Sequence, residues 1–363
     1  MDLDVEVEPE LDPFSLFLPL PYRDVPALVH YPPRHSSASL SHHHSTYRLA
    51  TLLSIPLGLS LLFFWTITHG QARLVVQYEI IPQLYLVFLF VSFLLPMNRI
   101  SRTGRFRFLS ALKRVSVGGL ATAKDGKFAD ILLADVLTSY AKVFGDMFVS
   151  ACMFFSSRHS STDKPDRFCG GQYVVPLIIS IPSLIRLRQC LIEYLRVRRQ
   201  DGKQGGEGGS GWGGQHLANA LKYTSAFPVI ILSALQRGYD PSNAGMSEAG
   251  LFRLWLFFVF LNSFYSFYWD VAKDWDLSIF DPNERDNPEH PYGLRKNMWF
   301  RSRGIYYGVI AIDLLLRCTW SFKLSPHLDH FNDLEGGIFV MEALEVLRRW
   351  IWIFLRVETE WGQ

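Results

Sequence analysis

Charge is scarce in this chain of 363 residues. Asp, Glu, Lys and Arg make up 19% of it, where a soluble domain carries about a quarter. The net charge is only +2, far from the concentrated basic character of a nucleic-acid binder, so no nucleic-acid partner is expected. Cysteine is scarcer still. Cys152, Cys169, Cys190 and Cys318 lie far apart, three of them in apolar stretches. That pattern is neither a disulfide framework nor a zinc spacing, and it reads as buried thiols acting as small hydrophobes.

Catalytic and nucleotide motifs are missing as well. There is no Gly-x-x-x-x-Gly-Lys-Ser/Thr, no His-Glu-x-x-His and no Gly-x-Ser-x-Gly, so ATP-driven pumping and hydrolase chemistry find no support. An enzyme is not expected, and no cofactor or metal is implied. The first dozen residues carry Asp2, Asp4, Glu6, Glu8, Glu10 and Asp12, where a cleavable signal would be basic and then apolar. Residues 1–46 are rich in Pro, Ser and His and are expected to be a disordered cytosolic tail. His42, His43 and His44 read as part of that tail rather than as metal ligands.

What the chain does have is apolar length. Hydrophobic residues are 49% of the total, and crossing a bilayer takes about 20 helical residues. Residues 49–68 hold no charge at all; 80–96 and 255–269 are nearly as clean. Five further stretches, 130–155, 173–194, 217–235, 305–322 and 338–355, have the length but carry ionisable residues. The expectation is an all-α, polytopic membrane helix bundle of about eight transmembrane helices. Residues 105–117 set Phe106, Phe108, Leu109 and Leu112 against Arg105, Arg107, Lys113 and Arg114, the pattern of an interfacial amphipathic helix. Residues 47–127 are thus two scaffold helices plus a basic segment. Residues 128–360 form a six-helix domain with a flexible, Gly-rich linker at 198–214.

Basic residues should collect on the cytosolic side. With a cytosolic N-terminus, the loops after spans two, four and six hold eighteen Lys and Arg and the opposite loops hold seven. Both termini are therefore expected in the cytosol.

An ionisable side chain at mid-membrane costs at least about 2.5 kcal/mol. The first two spans have none. The later ones have Asp130, Asp135, Lys142 and Asp146; Arg186 and Arg188; Lys222; Asp270 and Asp274; Asp313 and Arg317; Glu342, Glu345, Arg348 and Arg349. So many charges require either mutual pairing or a wet cavity. Asp313 with Arg317 and Glu345 with Arg349, each four apart, read equally well as structural bridges. Lys222, Arg317, Arg348 and Arg349 would make the interior attractive to anions, and guanidinium forks suit tetrahedral oxyanions. Asp135, Asp270 and Asp274 would balance them.

Several blocks are recognisable. NSFYSFYWDVAKDWDL at 262–277 contains the long pattern Tyr-Ser-x-x-Trp-Asp-x-x-x-Asp-Trp; FADILLAD stands at 128–135, IPSLIR at 181–186, NALKY at 219–223, and two further blocks at 313–320 and 342–352, the latter with LEVLRR at 344–349. Taken in order from about 128 to 360, these resemble the EXS domain family. Its members include eukaryotic phosphate exporters and Golgi proteins required to retain residents of the endoplasmic reticulum. The resemblance implies phosphate held inside the bundle by Asp135, Lys222, Tyr223, Asp270, Asp274, Arg317, Arg348 and Arg349. Thr138, Arg186, Asp313, Trp320 and Glu345 would gate the path or support that set. The exporters carry Asn three residues after the second Asp of the Ala-Asp helix, where this chain has Thr138. The plasma-membrane exporters also carry an N-terminal SPX domain, for which the first 45 or so residues are expected to be too short.

The resemblance is therefore to the shorter Golgi branch, of the ER-retention-defective type. It implies a multi-pass Golgi protein that returns inorganic phosphate from lumen to cytosol and so supports retention of glycosyltransferases. The alternative is a sorting adaptor that binds glycosyltransferase tails or coat proteins through its cytosolic loops. Phosphate and the lipid bilayer are the implied partners, and a homodimer is left open.

Overall fold

The computed structural model describes residues 43–95, 102–118, 127–155, 165–201, 213–242, 245–284, 287–288, 290–300, 302–322 and 335–362. Every regular element among them is helical: α1 (His43–Thr68), α2 (Ala72–Gln77), α3 (Ile80–Leu94), α4 (Arg102–Ser116), α5 (Lys127–Ser139), α6 (Ala141–Phe155), α7 (Val174–Asp201), α8 (Gly214–Thr224), α9 (Ala226–Arg237), α10 (Glu248–Trp269), α11 (Arg303–Phe322) and α12 (Glu335–Gly362). The protein is all-α. Among the described residues, four stretches can cross a membrane by length and apolar composition: Ala50–Thr68, Val174–Arg199, Gly214–Arg237 and Glu248–Asp274. The other stretches counted from the sequence are helical too. Of these, Ile80–Ser92 is apolar but shorter, and α5–α6 and α12 carry clustered charge. The membrane-bundle class holds, and among the described residues length and composition alone support four of the eight crossings.

The chain divides into two units, one ending at Gly126 and one beginning at Lys127, apart from a short excursion of the first at 157–164. The first holds α1–α4. Its α1 and α3 turn Leu57, Leu59, Leu61, Leu62, Leu84, Phe90 and Leu94 outward, as lipid-facing helices should. Tyr85 on α3 donates to the Leu53 carbonyl of α1 at 2.6 Å. α4 corrects the amphipathic reading at one residue. Phe106, Phe108 and Leu109 are exposed, but Arg105 is 2% exposed rather than on a wet basic face. It donates to the Ser92 carbonyl and, at 2.5 Å, to that of Leu95. The last turn of any helix leaves carbonyls without partners, and Arg105 supplies them.

In the second unit the helices close a ring. α7 packs against α5, α6, α8 and α9; α10 packs against α8, α9 and α11; and α12 joins α11 back to α5. Apolar clusters hold the perimeter. Ala141, Val149, Met153, Val175, Ile179 and Ile230 join α6, α7 and α9, while Val229, Leu232, Leu251, Trp255 and Val259 join α9 to α10. Gly145 lets α6 approach closely: a Cβ there would lie 2.9 Å from Ile179.

Two breaks aim polar residues inward. The α8–α9 stretch is interrupted at Ser225, one turn before Pro228, which has no N–H for the ladder. The Ser225 hydroxyl donates to the Lys222 carbonyl at 2.7 Å. α10 ends in a wide π turn, Asp270–Asp274, closed by Trp275 N–H on the Asp270 carbonyl at 2.9 Å. Such turns concentrate at functional sites.

The cysteines also need correction. Cys152 on α6 and Cys169, in the turn leading to α7, form a disulfide with Cα atoms 6.0 Å apart. A separation of 17 residues hid a pair that the fold brings together. Cys190 is a buried thiol, as expected, and Cys318 is half-buried.

Candidate functional site

The ring of the second unit encloses a continuous network of charge. One end is built on Asp135 of α5. Its Oδ1 accepts from Arg186 Nε of α7 at 2.6 Å and from the Tyr223 hydroxyl of α8 at 2.5 Å. Arg186 also donates to Gln189 Oε1 at 2.6 Å, and its guanidinium lies 4.9 Å from the Tyr223 ring centre. The neighbouring Lys222 carries the network onward.

The centre is Asp270, 0% exposed, at the start of the π turn. Lys222 Nζ reaches its Oδ1 at 3.0 Å. Arg317 of α11 bonds its Oδ2, and Arg348 of α12 stands 3.8 Å from the same oxygen. Three cations from three helices thus meet one carboxylate. Arg317 Nε also donates to Asp313 Oδ2 at 2.9 Å, and Arg348 donates to Asp313 Oδ1 at 3.0 Å. Arg348 then grips Glu345 with two bonds of 3.0 and 2.7 Å. Asp274, half-buried, lies 3.5 Å from Lys222 and 3.9 Å from Arg356. Unpaired charges would be prohibitive at this depth; a shared net spreads each over several partners.

Arg349 differs from the rest. Its Nε donates to the Ser139 hydroxyl at 2.8 Å and its second nitrogen to the Thr138 hydroxyl at 3.2 Å. The guanidinium lies 4.7 Å from the Trp352 ring centre. Among the described residues, none of its partners is a carboxylate. Trp275, Ile312, Asp313, Arg348, Ile351 and Trp352 line a narrow crevice beside this region, with no room in it for a water molecule.

All eight residues expected to hold an anion therefore sit in or beside one network: Asp135, Lys222, Tyr223, Asp270, Asp274, Arg317, Arg348 and Arg349. Arg186, Asp313, Glu345 and Thr138 lie against it. The side chains of Trp320, His43 and His44 fall outside what the structure describes, as does the whole of His42. Among the described residues no group of three His, Cys, Asp or Glu could hold a metal.

Other polar residues were not anticipated. Ser139 follows Thr138, and only the fold shows that it meets Arg349. Glu358, 1% exposed, accepts from Trp299 N–H at 2.8 Å and the Tyr306 hydroxyl at 2.5 Å, and pairs with Arg295 at 3.1 Å. That cluster ties the segment between α10 and α11 to the end of α12. Glu193 is buried between Lys127 and Arg196.

Comparison with known proteins follows the same blocks. The EXS family profile matches residues 22–362. The chain belongs to the EXS family. It is 30% identical over 317 residues to Protein ERD1 homolog 2 of Schizosaccharomyces pombe, covering 87% of this chain and 76% of that protein. It is 32% identical over 244 residues to Protein ERD1 of Kluyveromyces lactis, covering 64% and 58%. It is also 32% identical over 337 residues to Solute carrier family 53 member 1 of Mus terricolor, covering 89% and 44%. The chain thus spans less than two thirds of the second and under half of the third. The EXS membership and the solute-carrier relative point to a membrane protein of the transporter kind rather than an enzyme.

Proposed function

We propose that this EXS protein conducts inorganic phosphate through the helix ring of its second unit, from the Golgi lumen to the cytosol. The observation that carries the reading is Asp270, a fully buried carboxylate met by Lys222, Arg317 and Arg348. Cations so placed attract an oxyanion, and the carboxylate holds the position while no substrate is bound. Entering phosphate exchanges with Asp270 for these donors. A protonated oxygen of monohydrogen phosphate can in turn donate to Asp270, Asp135 or Asp274, which a fully ionised anion could not. Arg349, bonded only to hydroxyls and an aromatic face, supplies a guanidinium without displacing an acid. Trp320 is proposed as the gate; Trp320→Ala should change conductance, and unchanged flux would argue against it.

The Golgi address rests on the likeness to the ERD1 proteins and on the resemblance to the retention branch. Glycosylation in that lumen releases nucleoside diphosphates, whose hydrolysis leaves phosphate to be cleared. The Cys152–Cys169 disulfide supports a lumenal α6–α7 connection, since disulfides persist in oxidising compartments. The Lys and Arg count assigns the same side to that loop.

The test is phosphate flux in proteoliposomes, wild type against Arg348→Ala with Arg349→Ala. Flux should be lost in the double variant, and equal flux overturns the reading. Following glycosyltransferase retention in the same variant separates transport from sorting. Retention that survives without flux would make the adaptor role independent.

A further inference from the structure

We infer that Gln189 and Asn219 form a filter for a protonated tetrahedral oxyanion, beside the Asp135 end of the network; the inference rests on the transport reading above and assigns what makes the path select phosphate. Both amides carry a buried polar atom without a hydrogen-bond partner among the described residues: Nε2 of Gln189 and Oδ1 of Asn219. Gln189 is 4% exposed. Its Oε1 accepts from Arg186 Nη1 at 2.6 Å. A guanidinium can only donate, so the amide orientation is settled and the NH₂ group is its unused end.

Register puts the two amides at one level. Arg186 of α7 bonds Tyr223 of α8, while Gly213, just before α8, lies against Tyr194 and Val197 near the end of α7. The two helices therefore run antiparallel. Gln189 stands one turn beyond Arg186. Asn219 stands one turn before Lys222 and Tyr223, on the stripe between them. Gln189 thus falls opposite Asn219 and Ala220, and its neighbour Cys190 packs with Ala220 and Tyr223. A spare donor and a spare acceptor share a level next to three residues of the anion network. Amides placed only to brace the helices would bond each other, and these do not.

A ligand that satisfies both must accept at one atom and donate at another. Monohydrogen phosphate does so: an unprotonated oxygen takes the Gln189 N–H, and the P–OH donates to Asn219 Oδ1. Sulfate has the same shape and charge but no proton at neutral pH, and would set a lone pair against Oδ1. Asp135 and Asp270 are acceptors already held by cations; Asn219 Oδ1 is uncommitted. A buried acceptor left unpaired discriminates against the analogue that cannot donate to it.

The experiment measures phosphate flux in proteoliposomes at neutral pH, recording half-saturating phosphate and the sulfate concentration that halves the flux. Wild type should bind phosphate more tightly than sulfate. Asn219→Leu removes the acceptor at similar volume. It should raise half-saturating phosphate roughly tenfold and leave sulfate no weaker, so the preference shrinks by that factor. Gln189→Glu keeps the bond to Arg186 but loses the donor, and should weaken both anions. Should Asn219→Leu fail to fold, Asn219→Ser must still narrow the preference, because a hydroxyl can turn its hydrogen toward sulfate. Amides that only brace α7 against α8 would lower the yield of folded protein and leave the preference at its wild-type value, and that result overturns the filter. Absence of phosphate flux in wild type would sink the transport reading and the filter together; wild-type flux without preference for phosphate over sulfate sinks the filter alone.

Discussion

Arg349 and Ser139 are 210 positions apart and joined by a 2.8 Å hydrogen bond from Nε to the hydroxyl. The bond brings α12 against α5 and leaves the guanidinium without a carboxylate partner. Its value to an anion lies in two nitrogens held in a fixed plane. Arg349→Lys keeps the charge and loses that fork. Phosphate flux should fall about tenfold, measured in proteoliposomes. Ser139→Ala removes only an orienting acceptor, and should cost about 1 kcal/mol of stability while leaving most of the flux.

Asp270 answers a different question. Removing one partner of a buried ion pair strands the other, at a cost of about 3–5 kcal/mol. Asp270→Asn removes the carboxylate that three cations share, so the detergent-solubilised variant should unfold at a markedly lower temperature than wild type. If the carboxylate occupies the place of the substrate, added phosphate should then restore more stability to the variant than to wild type. Equal protection by phosphate in both proteins would show that Asp270 has only a structural role.

These charges were legible in the sequence because membrane segments make them conspicuous. Asp135, Lys222, Asp270, Arg317 and Arg348 stand out in apolar surroundings, where each must have a reason to be there. Their partners were less legible. Glu345 reads at helical spacing as the mate of Arg349, yet it is Arg348 that grips it with two bonds, because Arg349 points across the ring to α5. Which of two adjacent arginines turns which way depends on the rotation of α12, and no local spacing encodes it. Ser139 is an unremarkable residue until Arg349 arrives from the far end of the chain. Thr138, read as a weakened match to the exporters' Asn, does contribute a hydroxyl bond to Arg349 at 3.2 Å. The membrane class came from composition; the number of crossings did not, since α5–α6 and α12 set clusters of charge within their apolar stretches.

The disulfide was hidden for a related reason. Cys152 ends one helix and Cys169 precedes another, and only the antiparallel approach of α6 and α7 unites them. Closing a loop of this size is worth about 3 kcal/mol, so Cys152→Ser should lower the unfolding temperature. Thiol counting on denatured protein checks the pairing directly. Two cysteines, Cys190 and Cys318, should react without reductant and four after reduction; four reacting in both cases would refute the bond.

Arg105 offers the last test, in the first unit and away from the anion network. Its side chain is buried against the end of α3 and satisfies the carbonyls of Ser92 and Leu95. Those oxygens have no partner inside the helix, and apolar surroundings give them no water. Arg105→Met keeps much of the packing volume and removes the donors, at a cost of about 1–3 kcal/mol. Arg105→Lys restores one donor and part of the loss. Proteolysis of the connection between α3 and α4 should accelerate in the Met variant and less in the Lys variant, while phosphate flux per folded molecule stays at the wild-type level. An Arg on a wet interfacial helix, as the amphipathic pattern alone suggests, would tolerate both substitutions without any change in cleavage.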